Sequence, residues 1–469
     1  MKIAPIGIKN TRKFTDNKSY HKNETAQCYS NLNYAKPNLV NLQAYRTNIS
    51  FAGLILKPNL FKELAATESN PNWLKLIARE AELYVKPNDL RSEFERDYNR
   101  ILHSDAYNRM MGKTQVFSHP NSDATSTRIS HVNQVSSVAE NISDFLGLNT
   151  KLTRAIATGH DLGHAPFGHG GEMSINKIMQ EQGIKSDCWR GSFWHEKNSL
   201  RFVDDIETKL DPYGYEKNLD LTYAVRDGII SHCGEVDENG LRPRKEYVDL
   251  RSIDKGNRVS PYTWEGCVMK ISDKIAYLGK DIEDAINNKF LHPDKKNELI
   301  KLVKENTGKN FKEINNTVLI NEFISDLCAN SNPQDGIGFS EKTFKLMNTV
   351  KKFNYESIYF AKDKVQGPYV NLVINTIFND LNGLYSGKNT LAKLEKERET
   401  KPHLAQSFKD WLIKYSDAAP EEREAKKFAN KVIYSIDNQD DYKLAAIEFI
   451  SSMTDRTAIK SFEEIIFFG

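Results

Sequence analysis

A histidine and an aspartate stand side by side at His160-Asp161, where a helical pattern of small residues runs into a turn rich in Gly and Pro. Neighbouring side chains on a helix point about 100° apart, so they converge on one ion only near a helix end or in a groove between helices. Glycine lets the backbone approach a ligand closely because it has no Cβ. This pair is therefore a candidate for metal binding.

Two further candidate ligands, His131 and Asp273, lie on separate predicted helices. Together with His160 and Asp161 they form a mixed nitrogen and oxygen set, for which we expect Mn²⁺ or Mg²⁺, with Fe, Co, Ni and Zn as alternatives. Four protein ligands leave positions on a six-coordinate ion for water and a phosphate oxygen. Because such an ion lowers the pKa of bound water, the set favours metal-assisted hydrolysis of a phosphoester.

The helices that must position these ligands are visible as apolar stripes. The first stripe follows His131 and ends at a glycine; its residues are Val132, Val135, Val138, Ile142 and Phe145, before Gly147. The second surrounds Asp273 and consists of Val268, Ile271, Ile275, Leu278 and Ile282. Spacings of three and four are typical of amphipathic helices. Asp273, Tyr277 and Asp281 share another face, which is either a pocket wall or a solvated acidic surface.

Composition limits the class of protein. The 469 residues are 39% hydrophobic and 27% charged, and the helical periodicity predicts a mainly α fold. A net charge of +2 gives no overall reason to expect nucleic acid or an anionic membrane as a partner. The five cysteines contain no CxxC pair, and no run reaches the roughly 20 apolar residues of a membrane span. We therefore expect a cytoplasmic protein with no membrane partner.

Several strings, in this order, identify a family resemblance. They are Arg91-Ser-Glu-Phe-Glu-Arg-Asp, Gly112-Lys-Thr-Gln-Val-Phe, Arg128-Ile-Ser-His131, His160-Asp-Leu-Gly-His through Phe-Gly-His-Gly-Gly-Glu172, Trp194-His-Glu, and Asp273-Lys-Ile-Ala-Tyr-Leu-Gly-Lys-Asp-Ile-Glu-Asp. The span from about Arg91 to Ala285 resembles the HD-domain deoxynucleoside triphosphate triphosphohydrolases, the dGTPase-like family. The resemblance implies an HD-domain helical fold with additional C-terminal helices.

Composition and the resemblance together predict a domain order. Residues 1–50, which are basic and lack periodicity, are interpreted as a mobile tail. Residues 56–300 are interpreted as the HD-domain catalytic core. Residues 301–469 are interpreted as a mostly helical C-terminal region that packs on the core.

Roles for individual residues follow from the resemblance. His131, His160, Asp161 and Asp273 match the metal ligands. His169 matches a catalytic general acid, and Glu172 matches the carboxylate that orients and charges it, as a carboxylate near an imidazole does. Four residues match positions that contact phosphates: Arg128, His164, His195 and Lys274. Three match positions at the sugar: Gln115, Tyr277 and Asp281. A residue not placed by the resemblance is His232, which either reaches the site or is structural.

The implied reaction is hydrolysis of a deoxynucleoside triphosphate to a deoxynucleoside and inorganic triphosphate. The resemblance also implies a homo-oligomer and a nucleotide activator. One alternative is an HD-type nucleotidase or phosphodiesterase, which need not carry His169, Glu172 or Gln115. Another is a nucleotide-sensing or single-strand nucleic-acid-binding protein, supported only by the basic tail.

Overall fold

Helices form most of the protein in the computed structural model, which describes residues 49–51, 54–81, 88–118, 125–184, 192–233, 239–254 and 259–468. The predicted mainly α class is confirmed. The α-helices in chain order are α1 (Trp73–Leu76), α2 (Glu93–Leu102), α3 (Asp105–Arg109), α4 (Arg128–Leu146), α5 (Thr150–Gly159), α6 (His169–Glu181), α7 (His195–Arg201), α8 (Tyr223–Ile230), α9 (Trp264–Asn287), α10 (Lys295–Thr307), α11 (Asn316–Asn330), α12 (Glu341–Asn354), α13 (Phe360–Gly383), α14 (Thr390–Glu397), α15 (Pro402–Tyr415), α16 (Pro420–Ala425), α17 (Gln439–Ser452) and α18 (Asp455–Phe468).

Two short antiparallel strand pairs accompany the helices. β1 (Ile49–Phe51) pairs with β2 (Leu54–Leu56), and β3 (Thr208–Leu210) pairs with β4 (Glu216–Asn218). Residues 1–48, which make up nearly all of the predicted tail, lie outside the described residues. No helix in the described ranges is long and apolar enough to cross a membrane.

The two predicted apolar stripes are buried, except that Phe145 at the end of the first is only half-buried. In α4, Val132, Val135, Val138 and Ile142 are at most 3% exposed, and the helix ends where Gly147 adopts a left-handed conformation with φ of 82°. In α9, all five stripe residues are at most 2% exposed. Because both stripes face the core, the opposite faces of α4 and α9 are free to carry polar groups towards a pocket.

The hydrophobic core consists of two clusters, and both include C-terminal residues. One cluster joins Ile156 of α5 to Val373 of α13 and Phe408 of α15. The other joins Ile271 of α9 to Phe323 of α11. The helices after residue 300 therefore pack directly against the helices that carry the candidate ligands.

The turn after α5 is held by the start of α7. The side chain of Ser199 donates to the carbonyl of His160 at 2.7 Å and accepts from the backbone N–H of Gly163 at 2.9 Å. The amide of Asn198 donates to the carbonyl of Gly163 at 2.6 Å. These contacts fix the backbone at the His-Asp pair, and they require α7 to approach Gly163 closely.

Replacement of Gly163 by alanine tests that close approach. A Cβ there would lie 2.1 Å from the backbone nitrogen of Ser199 and 2.6 Å from the carbonyl oxygen of His195. Since backbone cannot move aside as a flexible side chain does, we expect Gly163→Ala to lower the free energy of unfolding by about 2 kcal/mol or more. The measurement is urea unfolding followed by circular dichroism.

The matched control is Gly383→Ala at the end of α13, where a Cβ would meet no atom within 4 Å. This change should leave stability unaltered or raise it by up to about 1 kcal/mol, because glycine is a poor helix former. Equal destabilisation by both substitutions would contradict the proposed tight contact at Gly163.

Candidate metal centre and pocket

The four predicted metal ligands meet where α4, α5 and α9 pack together. His131 lies in the first turn of α4, His160 and Asp161 follow the end of α5, and Asp273 lies in the middle of α9. His131 Nε2 is 2.9 Å from Asp273 Oδ1, and His160 Nε2 is 3.4 Å from Asp161 Oδ1. The cross distances, His131 to Asp161 and His160 to Asp273, are both 3.9 Å. The structure thus groups His131, His160 and Asp273 as one candidate metal site, and it places Asp161 within 3.9 Å of both histidines.

The protonation of His160 suits a metal ligand. Its Nδ1 is 2.7 Å from the carbonyl oxygen of Ala157 and donates to it, while Nε2 is buried without a hydrogen-bond partner among the described residues. Burial lowers the pKa of His160 to about 4, although the carboxylate of Asp161 opposes this effect. The ring is therefore neutral near pH 7, and its Nε2 carries the free lone pair that a histidine needs to bind a metal.

The carboxylate of Asp161 is buried and held by positive neighbours. Arg128 Nη1 donates to Asp161 Oδ2 at 2.8 Å, and both side chains are 4% exposed. Burial alone would raise the pKa of Asp161, but His160 and Arg128 hold it well below its usual range. Asp161 is consequently ionised at neutral pH, which is the form that binds a cation. The donor set of imidazoles and carboxylates fits a divalent metal.

One cavity of about 330 Å³ adjoins the candidate metal centre. It is lined by every predicted site residue except His160 and Glu172. A larger groove of about 900 Å³ lies elsewhere, and several of its charged residues are paired with each other; Arg226, for example, binds Asp204 at 2.6 Å. The chemistry of the lining, rather than its size, identifies the smaller cavity as the site.

The predicted phosphate-facing residues line one cavity, and three of them, Arg128, His195 and Lys274, form a positive wall. Burial and the neighbouring Arg128 hold the pKa of His164 well below its usual range, so this ring is neutral near pH 7. The rings of His164 and His195 stack with centroids 3.9 Å apart. Burial disfavours the charged form of His195, but the carboxylates of Glu196 and Glu172 raise its pKa to about 9. Lys274 is 7% exposed on α9 and lines the same cavity. Arg128 directs Nη2 to the carbonyls of Thr114 and Gln115, so part of its donor capacity is used within the protein.

The predicted catalytic pair lies at the start of α6. His169 is exposed and lines the cavity, and Glu172 is one turn further along the helix. The ligand atoms of His169, Glu172 and His195 lie within 4.8 Å of one another. The carboxylate of Glu172 accepts from His195 Nδ1 at 3.1 Å. Glu172 therefore orients His195 directly and lies close enough to His169 to act on its charge.

The predicted sugar-contacting residues share a wall of the cavity. Tyr277 and Asp281 follow Asp273 along one face of α9, as their spacing of four predicts. Gln115 also lines the cavity, and its carbonyl accepts from the guanidinium of Arg128. Asp281 Oδ2 accepts from the hydroxyl of Tyr359 at 2.6 Å. Burial raises the pKa of Asp281 to about 6, and the hydrogen bond from Tyr359 opposes this rise. The side-chain oxygens Gln115 Oε1 and Asp281 Oδ1 are buried without partners in the described structure.

Sequence reasoning missed the part of the pocket that comes from the C-terminal third. These residues lie in a π-helical turn between α12 and α13 and in the first turn of α13: Tyr355, Tyr359, Phe360, Lys362 and Asp363. Cys233 was also missed, and His232, left undecided, lines the cavity with it. Tyr359 has no local sequence signal that indicates a role in the site, because its partner Asp281 is 78 residues away.

The helical fold and the histidine-aspartate centre define the class of HD-domain proteins. The HD domain family matches residues 128–278, a range that contains all four predicted ligands. Over 292 residues the chain is 34% identical to a deoxyguanosinetriphosphate triphosphohydrolase-like protein of Caldanaerobacter subterraneus subsp. tengcongensis, covering 62% of this chain and 72% of the relative. Similar proteins of Desulfatibacillum aliphaticivorans and Rickettsia prowazekii are each 33% identical, covering 59% and 58% of this chain and 69% and 75% of theirs.

The chain therefore belongs to the deoxyguanosinetriphosphate triphosphohydrolase-like family of HD-domain proteins. The family resemblance expected from the sequence is confirmed. Membership makes the protein a metal-dependent phosphohydrolase, and the histidine-aspartate clusters are its candidate metal-binding groups.

The buried carboxyl of Asp281 predicts a specific pH dependence of stability. Its folded-state pKa of about 6 lies above the unfolded value, so its contribution favours folding at low pH and is lost as pH rises through 6. Asp281→Asn does not titrate. The free energy of unfolding of the metal-free wild type should fall by up to about 2–3 kcal/mol between pH 4 and 7 because of this group, and the fall should be absent in Asp281→Asn. Urea unfolding at each pH measures the difference.

Tyr359→Phe is the matched variant, and it should change the pH dependence of stability in the direction opposite to Asp281→Asn. Removing the hydroxyl that donates to Asp281 should raise the pKa of that carboxyl further and enlarge the pH dependence. Identical pH profiles for wild type, Asp281→Asn and Tyr359→Phe would contradict the assignment of a raised pKa to Asp281.

Proposed function

We propose that the protein hydrolyses deoxynucleoside triphosphates to a deoxynucleoside and inorganic triphosphate. The observation that carries the proposal is that one cavity is lined by the metal ligands, by a positive wall and by unpartnered acceptors suited to a sugar. The relatives named triphosphohydrolase-like support the same reaction. Each wall of the cavity corresponds to one part of a nucleotide.

His131, His160, Asp161 and Asp273 hold the divalent ion, for which Mn²⁺ and Mg²⁺ are the first choices. Such an ion polarises phosphorus–oxygen bonds and lowers the pKa of water. The protein's part is to keep these four groups deprotonated and in place. The ion pair with Arg128 keeps Asp161 ionised and in place. The carbonyl of Ala157 accepts from the proton-bearing Nδ1 of His160, which leaves Nε2 deprotonated and facing the metal site.

The positive wall binds the triphosphate. His195 carries a proton near pH 7 because its pKa is raised to about 9, and it lies beside His164, Arg128 and Lys274. Charge-assisted hydrogen bonds to phosphate oxygens are stronger than neutral ones, so this wall fixes the position of the phosphates. With the α-phosphorus next to the metal ligands, water attacks phosphorus and the bond to the 5′ oxygen breaks.

His169 is the general acid in this proposal. It stands at the exposed edge of the cavity and donates its proton to the departing 5′ oxygen, and the proton lost by the attacking water leaves to solvent. Desolvation within the protein lowers the pKa of His169, and the nearby carboxylate of Glu172 offsets part of this lowering and so favours the protonated ring. The proton balance yields a neutral deoxynucleoside and an intact triphosphate.

Gln115 and Asp281 recognise the 3′-hydroxyl. Their oxygens Gln115 Oε1 and Asp281 Oδ1 have no donor within the described structure, and a hydroxyl group supplies one. The ring of Tyr277 covers the adjacent carbon of the sugar and leaves no room for a 2′-hydroxyl. Preference for deoxyribose thus arises from excluding ribose.

The products of purified protein incubated with each deoxynucleoside triphosphate and a divalent metal test the reaction. In water enriched in ¹⁸O, we expect the label in triphosphate and not in the deoxynucleoside, because attack at the α-phosphorus breaks the bond to the 5′ oxygen. His169→Ala should lower kcat by roughly 10²–10⁴-fold, the usual contribution of a general acid. Mass spectrometry of both products gives the answer.

The controls separate the competing outcomes. Glu172→Ala should lower activity less than His169→Ala, since it acts through the neighbouring histidines. Release of monophosphate or stepwise release of phosphate would replace the proposed reaction with that of a general HD-type nucleotidase. Nucleotide mixtures are included because we also propose that the protein forms a homo-oligomer with a nucleotide activator.

Replacement of Tyr277 tests the sugar selection separately. Tyr277→Ala should raise the ratio of kcat/KM for GTP to that for dGTP by at least about tenfold, because the space filled by the ring opens to the 2′-hydroxyl. Tyr277→Phe is the matched control, since it keeps the ring, and it should retain the wild-type ratio. Unchanged discrimination in Tyr277→Ala would show that another group excludes ribose.

A further inference from the structure

Asp455, the first residue of α18, binds two chain segments that are remote from it in sequence. Its Oδ2 accepts from the backbone N–H of Thr114 at 3.1 Å and also from the hydroxyl of that residue. Its Oδ1 accepts from the backbone N–H of Phe167 at 2.8 Å. One half-buried carboxylate therefore holds residues that are 341 and 288 positions away along the chain.

Each of these two segments carries a residue of the cavity. Thr114 directly precedes Gln115, and Phe167 lies two residues before His169. Both Gln115 and His169 line the cavity. Asp455 thus joins the backbone on the sugar side of the cavity to the backbone on the side of the general acid.

The bond to Phe167 stabilises a strained turn. Phe167 is 2% exposed and has a φ of 65°, a left-handed conformation that is unfavourable for a residue with a Cβ. Gly168 follows with a φ of 61°, and a Cβ there would lie 3.7 Å from the carbonyl oxygen of Gln115. The turn that sets the direction of α6, and with it the position of His169, therefore runs directly beside the other segment.

The turn between α17 and α18 keeps Asp455 in place. A Cβ at Gly112 would lie 2.9 Å from Cγ2 of Thr454, so this turn packs closely against the first segment. Lys113 is 1% exposed and donates to the carbonyl of Ser451 at 3.0 Å. Because the turn is bound on both sides of Asp455, the carboxylate has a fixed position from which to hold the two segments.

We propose that Asp455 is a positioning residue of the hydrolytic site, which sets the separation between Gln115 and the general acid His169. The inference rests on the proposed function, in which Gln115 binds the 3′-hydroxyl and His169 protonates the 5′ oxygen. Both oxygens belong to one sugar, so the two residues must be spaced to match it. A general acid must lie within about 3 Å of its target, and a displacement of about 1 Å can cost roughly 10²-fold in rate.

Asp455→Asn in the full-length protein tests the proposal. The amide keeps the size of the side chain and one acceptor oxygen, so one of the two segments loses its bond. We expect kcat for release of triphosphate to fall by roughly 10–10²-fold. Metal content and the inhibition constant of inorganic triphosphate should keep their wild-type values, because the metal ligands and the positive wall lie on or beside α4, α5, α7 and α9.

The same substitution in a His169→Ala background separates positioning from general damage. Without the general acid there is no group to align, so Asp455→Asn should lower the remaining activity, measured with enzyme in excess, by less than about twofold. Asp441→Asn is the matched control and should keep the wild-type kcat. Asp441 is also a half-buried acid in the first turn of a C-terminal helix, α17, and it accepts from the backbone N–H of Ser435 at 2.9 Å.

Two further measurements do not depend on a single variant or on activity. Thr114→Val removes only the hydroxyl that donates to Asp455 and should lower kcat by a smaller factor than Asp455→Asn. Hydrogen exchange followed by mass spectrometry should be at least about tenfold faster in Asp455→Asn for a peptide that contains Thr114 or Phe167, because one of these N–H groups loses its acceptor.

The outcomes distinguish this inference from the proposed function. An unchanged kcat, unchanged exchange in both peptides, weaker inhibition by triphosphate, or an equal loss of activity in the His169→Ala background would overturn the role of Asp455 alone. Wild-type protein that releases no triphosphate from any deoxynucleoside triphosphate would overturn the proposed function, and this inference with it.

Discussion

The charge of two carboxylates within a helical core is the constraint on which the rest of this structure depends. Asp161 is 3% exposed and Asp273 lies beside it, so both must be compensated where they lie. Arg128 pairs with the first and His131 with the second. Uncompensated charge at such depth is strongly destabilising. Packing of α4 against α9 brings His131 to Asp273. Packing of α4 against α5 brings Arg128 to Asp161, which follows α5, and the two contacts together create a candidate cation site.

The C-terminal third supports this centre from behind. Asp455, at the start of α18, accepts from the backbone N–H of Thr114 at 3.1 Å and from that of Phe167 at 2.8 Å. Phe167 has a φ of 65°, a strained conformation that this contact stabilises just before α6 begins. Lys113 joins the carbonyl of His164 to that of Ser451 in α17. The orientation of the predicted general acid therefore depends on helices that carry no recognisable catalytic motif.

These contacts explain which features were predictable. The helices that carry the predicted ligands His131 and Asp273 were predictable because the apolar period of each is complete within about 20 residues. The family resemblance assigned Glu172 to His169, three residues before it, whereas its hydrogen bond goes to His195, which is 23 residues away. Tyr359, which donates to Asp281, lies in a π-helical turn, and neither the turn nor a partner 78 residues distant has a local sequence signal.

Unpaired buried atoms connect folding to function in this protein. Gln115 Oε1 and Asp281 Oδ1 are acceptors without donors, and Nε2 of His160 and of His232 are lone pairs without partners in the described structure. Each costs stability in the free protein, because burial removes the water that would otherwise satisfy it. The two kinds of atom differ in what can satisfy them: acceptors require a donor such as a sugar hydroxyl, and imidazole lone pairs suit a cation. Their arrangement around one cavity thus restricts the ligand to a molecule that brings hydroxyl groups at one end and negative charge, neutralised by metal, at the other.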